Sequence, residues 1–224
     1  MELSESTVQI LKNFAGINSN IVVMPGNVLQ TISEAKNIMA RAEVAETFPQ
    51  QFGIYDLNEF LNVMNLVDKP NLTFSESSVT IGDSTGRSRI KYFFSAPEIL
   101  TSPTKEVKMP EADIRFTLDN DTLSKVKRAA SALGHNEVCV TGNKNSVALT
   151  VTSKDSSTAN TFSIDIDGQS NVDNYNLVFS ISNLKILTGT YNVAASSKLI
   201  SEFTNSETNL KYWIALEKTS TYGE

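Results

Sequence analysis

The chain has 224 residues, 40% hydrophobic and 20% charged, and its 19 Lys and Arg against 25 Asp and Glu give a formal charge of −6. That length fits one large domain or two of ordinary size, and the acidic balance argues against a protein that coats itself in nucleic acid, although a local basic surface stays open. Cys139 is the sole cysteine and His135 the sole histidine, so an intrachain disulfide and a structural zinc set are excluded, and no apolar run reaches membrane-spanning length.

The N-terminus Met-Glu-Leu-Ser-Glu has neither the basic start nor the apolar core of a signal peptide, and a soluble intracellular protein is expected. Residues 4–14 read as a helix capped by Ser4 and stopped by Gly16, with Leu3, Val8, Leu11, Phe14 and Ala15 on one side. Gln9, Lys12 and Asn13 lie opposite, together with Glu5 and Ser6, so the outer face is mixed in charge. Strands are predicted over 21–24, 28–33 and 38–44, with a turn at Pro25-Gly26-Asn27. Residues 52–67 change period partway: a strand up to Tyr55, then Asp56 as N-cap of a helix carrying Leu57, Phe60, Leu61 and Met64. Strands over 72–75, 79–81 and 89–94 complete the first half.

Pro97, Pro103 and Pro110 then fall in one non-periodic span, which predicts a linker over 96–110 between domains at 1–95 and 111–224. Ile99, Leu100, Val107 and Met109 give that linker apolar side chains that need a place to lie. The second half opens on a strand over 114–118. Asp119 or Asn120 caps a helix reaching Leu133, and Gly134 stops it. Leu123, Val126, Ala129, Ala130 and Leu133 form its apolar stripe; Ser124, Arg128 and Ser131 lie opposite, with Lys125 and Lys127 on the flanks. Strands follow over 138–141, 147–152 and 161–166. A second strand-to-helix switch spans 177–187, capped by Ser182 or Asn183 and ended by Gly189, before strands over 190–194, 199–203 and 210–217, the last two read as a hairpin through 205–209. The fold class is α+β: one plan of helices on antiparallel sheets, used twice.

No constellation supports an enzyme. Asp165 and Asp167 share a strand face, as a divalent-metal site would need, yet Asp167-Gly168 reads better as a strand end. Asp119-Asn120-Asp121 reads as capping, and the Gly82–Gly86 run as a hairpin connection. His135 follows the helix stop and Cys139 falls in the next strand, so nothing supports a catalytic pair. Lys125, Lys127 and Arg128 on one helix read by themselves as a solvated surface; the duplicated plan, which can present helices together on one face, is what favours a functional reading as concentrated positive potential.

The residues Leu3-Ser4, Ile10-Leu-Lys-Asn-Phe-Ala15, Ile17-Asn-Ser19, Tyr55-Asp-Leu-Asn58 and Phe60-Leu61 carry a resemblance. So do Asn183-Leu-Lys-Ile186, Gly189-x-Tyr191-x-Val193, Tyr212 and Ile214-Ala-Leu-Glu217. In this order and spacing the chain resembles the sliding clamps of T4-like bacteriophages, the DNA polymerase processivity factors, over nearly its whole length. The resemblance implies a DNA clamp fold of two similar domains, each with two helices, and a homotrimeric ring around duplex DNA without sequence preference. It implies no catalysis and no cofactor. As partners it implies the polymerase C-terminal peptide, a clamp loader ATPase and late-transcription factors, in the cytoplasm of the infected host and not at a membrane. The positions it makes DNA-facing are Lys12, Lys125, Lys127, Arg128 and Lys185, whereas Glu2 and Glu5 stand where such clamps are expected to carry lysines. A partner-peptide pocket is expected from Ile99, Leu100, Val107, Met109 and Pro110 of the linker with Tyr212, Trp213 and Ile214 of the last strand. The competing readings are a virion structural or assembly protein and a metal-dependent hydrolase built on Asp165 and Asp167.

Overall fold

In the computed structural model, which describes residues 1–83, 85–144, 146–153 and 158–223, the chain divides into two compact units, Met1–Glu106 and Val107–Glu224. Ser4 caps the first helix, α1 (Glu5–Ile17), its hydroxyl accepting the Thr7 N–H at 3.3 Å. The helix runs through Gly16 and ends at Asn18, whose extended backbone stops it. Its buried stripe is Thr7, Ile10, Leu11, Phe14, Ala15 and Ile17, which shares Leu11, Phe14 and Ala15 with the expected one and adds apolar Ile10 and Ile17, and a carboxylate from β3 (Ile38–Phe48) takes hold of the first turn. That group, Glu46, accepts the Ser4 N–H and the Thr7 hydroxyl. A buried anion thus sits against the positive end of the helix with its lone pairs occupied.

The rest of the first unit is β1 (Ile21–Val23), β2 (Gly26–Ile32), β4 (Phe52–Ile54), α2 (Leu57–Met64), β5 (Asn71–Phe74), β6 (Ser78–Gly82) and β7 (Arg89–Phe93). Antiparallel β1 pairs with β4, β2 with β3, and β5, β6 and β7 form a meander. Asp56 caps α2 by accepting the Glu59 N–H at 2.9 Å, and Leu57, Phe60, Leu61 and Met64 are buried, as their spacing requires. Phe52 anchors the aromatic part of this core, its ring 4.9 Å from that of Phe94 and 5.3 Å from that of Phe74. The Gly82–Gly86 run connects β6 to β7: Asp83 accepts the N–H groups of Thr85, Arg87 and Ser88 at 3.0 to 3.2 Å, while Ser84 lies outside the described residues. Leu100 lies over Gly53, where a Cβ would stand 2.6 Å from the leucine Cδ1, and Asn20 accepts the Thr101 N–H at 3.1 Å. The start of the proline-rich span is therefore packed on the first unit rather than solvated.

In the second unit β8 (Ile114–Leu118) leads through the cap Asp119 into α3 (Asn120–Leu133), which Gly134 ends in the left-handed region at φ 70°. Strands β9 (Glu137–Asn143), β10 (Ser146–Thr152), β11 (Phe162–Ile166), β12 (Gly168–Ser170) and β13 (Tyr175–Ser180) follow, then β14 (Tyr191–Ser196), β15 (Ile200–Asn205) and β16 (Leu210–Ala215). In one sheet the strand order is β11-β10-β9-β13, and a second array runs β12-β8-β14-β15-β16. α3 packs on β9, β10 and β11, and the core between them holds Phe116, Leu123, Val126, Val140, Leu149, Phe179 and Phe203.

One expectation changes here. Residues 181–187 do not form a second helix: Ile181–Asn183 is one 3-10 turn whose cap makes no side-chain bond, because Asn183 and Leu184 are buried and the chain leaves helical geometry to reach the core. At Asp167-Gly168 the expected strand end is present, since β11 stops at Ile166 and Asp167 is a bend, and Gly168 has a further role. It opens β12, paired to β8, where an added Cβ would meet Phe116 Cβ and Val147 Cγ2 at 2.8 Å, so the missing side chain is what lets two strands and a neighbouring sheet approach.

The Glu46 contact gives a test. Burial pushes its carboxyl up, but the donors Ser4 and Thr7 outweigh that and hold it below the usual glutamate range. Its contribution is therefore complete above that range and lost as pH falls through the depressed folded value. Glu46→Gln is expected to lower unfolding free energy by about 1–3 kcal/mol at neutral pH, with the gap from wild type closing in acid, as read by urea denaturation at several pH values.

Candidate nucleic-acid interface

Helix α3 is where charge and geometry combine. Asp119 accepts the Thr122 N–H at 2.7 Å, and that bond holds the carboxyl below its ordinary value. With the start fixed, the 3.6-residue period sends Thr122, Leu123, Val126 and Ala130 inward and leaves Asp121, Lys125, Arg128, Ser131 and Ala132 exposed. Lys127 lies half-buried on the flank, and desolvation lowers its ammonium below the usual lysine range. The outer face thus carries Lys125, Lys127 and Arg128 against Asp121. Two of the cations have partners on the helix itself: Lys125 Nζ lies 2.7 Å from Asp121, and Arg128 Nε donates to the Ser124 carbonyl at 3.4 Å.

The other helices differ. On α1 the exposed Lys12 is offset by exposed Glu5, and the exposed residues of α2 are Asn58, Glu59 and Asn62, without a cation. Lys185 is exposed just beyond the 3-10 turn of the second unit. Its segment is held by two wholly buried tyrosines: the Tyr191 hydroxyl donates to the Leu187 carbonyl at 2.7 Å, and the Leu187 N–H donates to the Tyr212 hydroxyl at 3.1 Å. Lys125, Lys127 and Arg128 thus share one helix, Lys185 belongs to the same unit, and Lys12 belongs to the other.

The residues expected to line a peptide pocket separate by burial. Ile99 is 69% exposed, Val107, Met109 and Pro110 are half-buried, and Leu100 is buried on the first unit. Tyr212 and Ile214 are 0% exposed, which removes them as surface anchors: their shared strand face is the core face, with Phe203 and Tyr191 behind it. Trp213 points to the opposite face, where its indole N–H donates to Glu202 at 3.0 Å and Lys211 Nζ lies 3.5 Å from the same carboxylate. The hairpin of β15 and β16 sets Glu202 directly opposite Trp213, and what the sequence reading leaves out is that their side chains bond on the face away from the core. The cluster borders an open groove of about 510 Å³ lined by Arg115, Gln169, Asn192, Ala194, Glu202 and Thr204 among others.

Asp165 and Asp167 line a cleft of about 290 Å³ with Asp119 and Thr122, and no group of three or more His, Cys, Asp or Glu suited to a metal occurs among the described residues. His135 is bonded through Nε2 to the Asn160 carbonyl oxygen at 2.8 Å. Burial, and then Glu137, push the Cys139 thiol up to about 11, the wrong direction for a nucleophile. Among the described residues no helix is long and apolar enough to cross a membrane.

Residues 4–99 match the family described as DNA polymerase processivity factor, and residues 115–218 match the gp45 sliding clamp, C terminal. A sliding clamp of Vibrio phage KVP40 is 33% identical over 224 residues, covering 97% of this chain and 99% of the relative. Those of Escherichia phage RB69 and Enterobacteria phage T4 are each 26% identical over 230 residues, covering 99% of both chains. Among solved structures, one described as the C-terminal region of FEN-1 bound to A. fulgidus PCNA aligns over 98% of both chains with a TM-score of 0.72 at 13% identity. The Proliferating Cellular Nuclear Antigen from Entamoeba histolytica aligns over 94% of both with a TM-score of 0.66 at 16% identity. At such identities these structures establish the fold alone, the DNA clamp fold.

The burial of Tyr212 sets an expectation. Tyr212→Ala is expected to cost about 3–5 kcal/mol of stability as a core truncation, and Tyr212→Phe about 1 kcal/mol for the lost bond to Leu187, both measured by urea unfolding.

Proposed function

The chain belongs to the sliding clamps of T4-like bacteriophages, a family of DNA polymerase processivity factors, and from that premise we propose that three copies close into a ring that holds duplex DNA against the outer face of α3. The observation that carries this reading is that face, with Lys125, Lys127 and Arg128 turned from the core on a chain whose net charge is −6. A ring retains DNA by topology. A few cations toward a water-filled hole contact phosphates, which carry no sequence information, so the duplex slides without a preferred register. The acidic remainder of the surface disfavours binding elsewhere.

Ring closure needs a heterologous contact, and two free strand edges offer one. β7 has β6 as its only strand partner among the described residues, and β11 has only β10. Along β7 the pairs Asp83–Ser88 and Ser77–Phe94 bracket the bonded register, so the backbone groups of Arg89, Lys91 and Phe93 point away from β6. Exposed Arg89 and Lys91 on β7 complement exposed Asp165 on β11. Pairing β7 of one copy with β11 of the next would satisfy both edges.

The polymerase acts through its C-terminal peptide, a clamp loader ATPase opens the ring, and late-transcription factors use the same docking surface. Half-buried Val107, Met109 and Pro110 of the second unit supply apolar contacts for such a tail. This activity belongs in the cytoplasm of the infected host and involves no catalysis by the clamp.

Sedimentation at micromolar concentration is expected to give the mass of three chains; a monomer at every concentration would overturn the ring. Replacing Lys125, Lys127 and Arg128 together by Ala is expected to shorten retention on circular primed DNA at moderate salt while leaving the melting curve unchanged. Retention equal to wild type at all salt concentrations would remove α3 from the DNA side. Met109→Ala is expected to weaken a polymerase tail peptide several-fold in a fluorescence titration, and unchanged affinity would place the peptide elsewhere.

A further inference from the structure

The cations of α3 are not simply presented. Asp121, Lys125 and Arg128 fall on one exposed row, and within it Asp121 is 70% and Lys125 45% exposed while their charged atoms are 2.7 Å apart. A phosphate that reaches Lys125 must displace a carboxylate already there. Asp121 is not required as the cap, since Asp119 performs that role, and a negative charge in the first turn contributes only modestly to helix stability. We infer that Asp121 is a built-in competitor for phosphate, which weakens the hold of α3 on DNA by occupying Lys125 and so favours sliding over a fixed register.

The inference rests on the DNA-facing reading of α3 and adds a residue that tunes it. Its physical basis is ion exchange. In wild type, a Lys125–phosphate contact forms only as the Lys125–Asp121 pair breaks, so the net number of new ion pairs does not rise. With asparagine at 121 the ammonium is free to contact phosphate, and one more counterion is released from DNA. Arg128 and Lys127 have no carboxylate at such a distance among the described residues, so they carry more of the grip than Lys125 does.

The test is a fluorescence anisotropy titration of the assembled protein against a short blunt-ended duplex of random sequence over a range of KCl concentrations. Asp121→Asn is expected to tighten binding about two- to fivefold at low salt and to steepen the slope of log affinity against log salt by about 0.9, the increment of one phosphate contact. The gain is expected to vanish when Asp121→Asn is placed on Lys125→Ala, and Lys125→Ala alone is expected to weaken binding less than Arg128→Ala. An unchanged slope in Asp121→Asn overturns the inference. So does an equal gain in the Lys125→Ala background, which would make Asp121 a general repulsive charge. If replacing all three cations by Ala leaves binding unchanged, the DNA-facing reading fails first, and the role of Asp121 with it.

Discussion

Burial of the single apolar stripe of α3 against β9, β10 and β11 is the constraint from which the character of the second unit follows. A helix with Leu123, Val126 and Ala130 on one side has one way to sit on a sheet, and that orientation turns Lys125 and Arg128 outward. The charged face is thus fixed by hydrophobic packing rather than by any interaction among the charges. An exposed pair such as Lys125–Asp121 contributes at most a few tenths of a kcal/mol to folding, so it is free to serve another purpose.

The first unit solves a different problem with a buried carboxylate. Glu46 reaches from a strand to the first turn of α1, where it accepts from the Ser4 N–H and the Thr7 hydroxyl. In the second unit the comparable device is neutral: Tyr191 and Tyr212 grip both backbone groups of Leu187 and so fix the segment that carries Lys185. In each case a polar group from a distant strand sets the geometry of a segment whose outward residues carry charge.

The unpaired edges are the complement of this packing. β7 and β11 expose backbone groups that a closed sheet would satisfy, and β7 carries Arg89 and Lys91, with Lys91 Nζ 4.8 Å from the Phe93 ring. Charged edge residues discourage indiscriminate strand addition, which leaves a complementary acidic edge as the suitable partner.

Local patterns determined what depends on neighbours in sequence. Ser4, Asp56 and Asp119 were legible as caps because a cap is a hydrogen bond to an N–H three residues on, and the face of α3 was legible because the helical period relates residues within a few turns. Most strands were legible from alternation, and the resemblance to phage sliding clamps from short motifs in order. Alternation assigns side chains to two faces but does not say which face is the core, and so Tyr212 and Ile214 could be read as surface anchors until Tyr191 and Phe203 were found packed behind them. The end of α1 at Asn18 rather than Gly16, the 3-10 turn at Ile181–Asn183 and the pairing of β12 with β8 were likewise decided by the tertiary structure. Each depends on a partner far away in sequence, such as the Ile32 carbonyl that accepts from Asn18 or the β8 backbone beside Gly168, and local propensity carries no information about a contact that only folding creates.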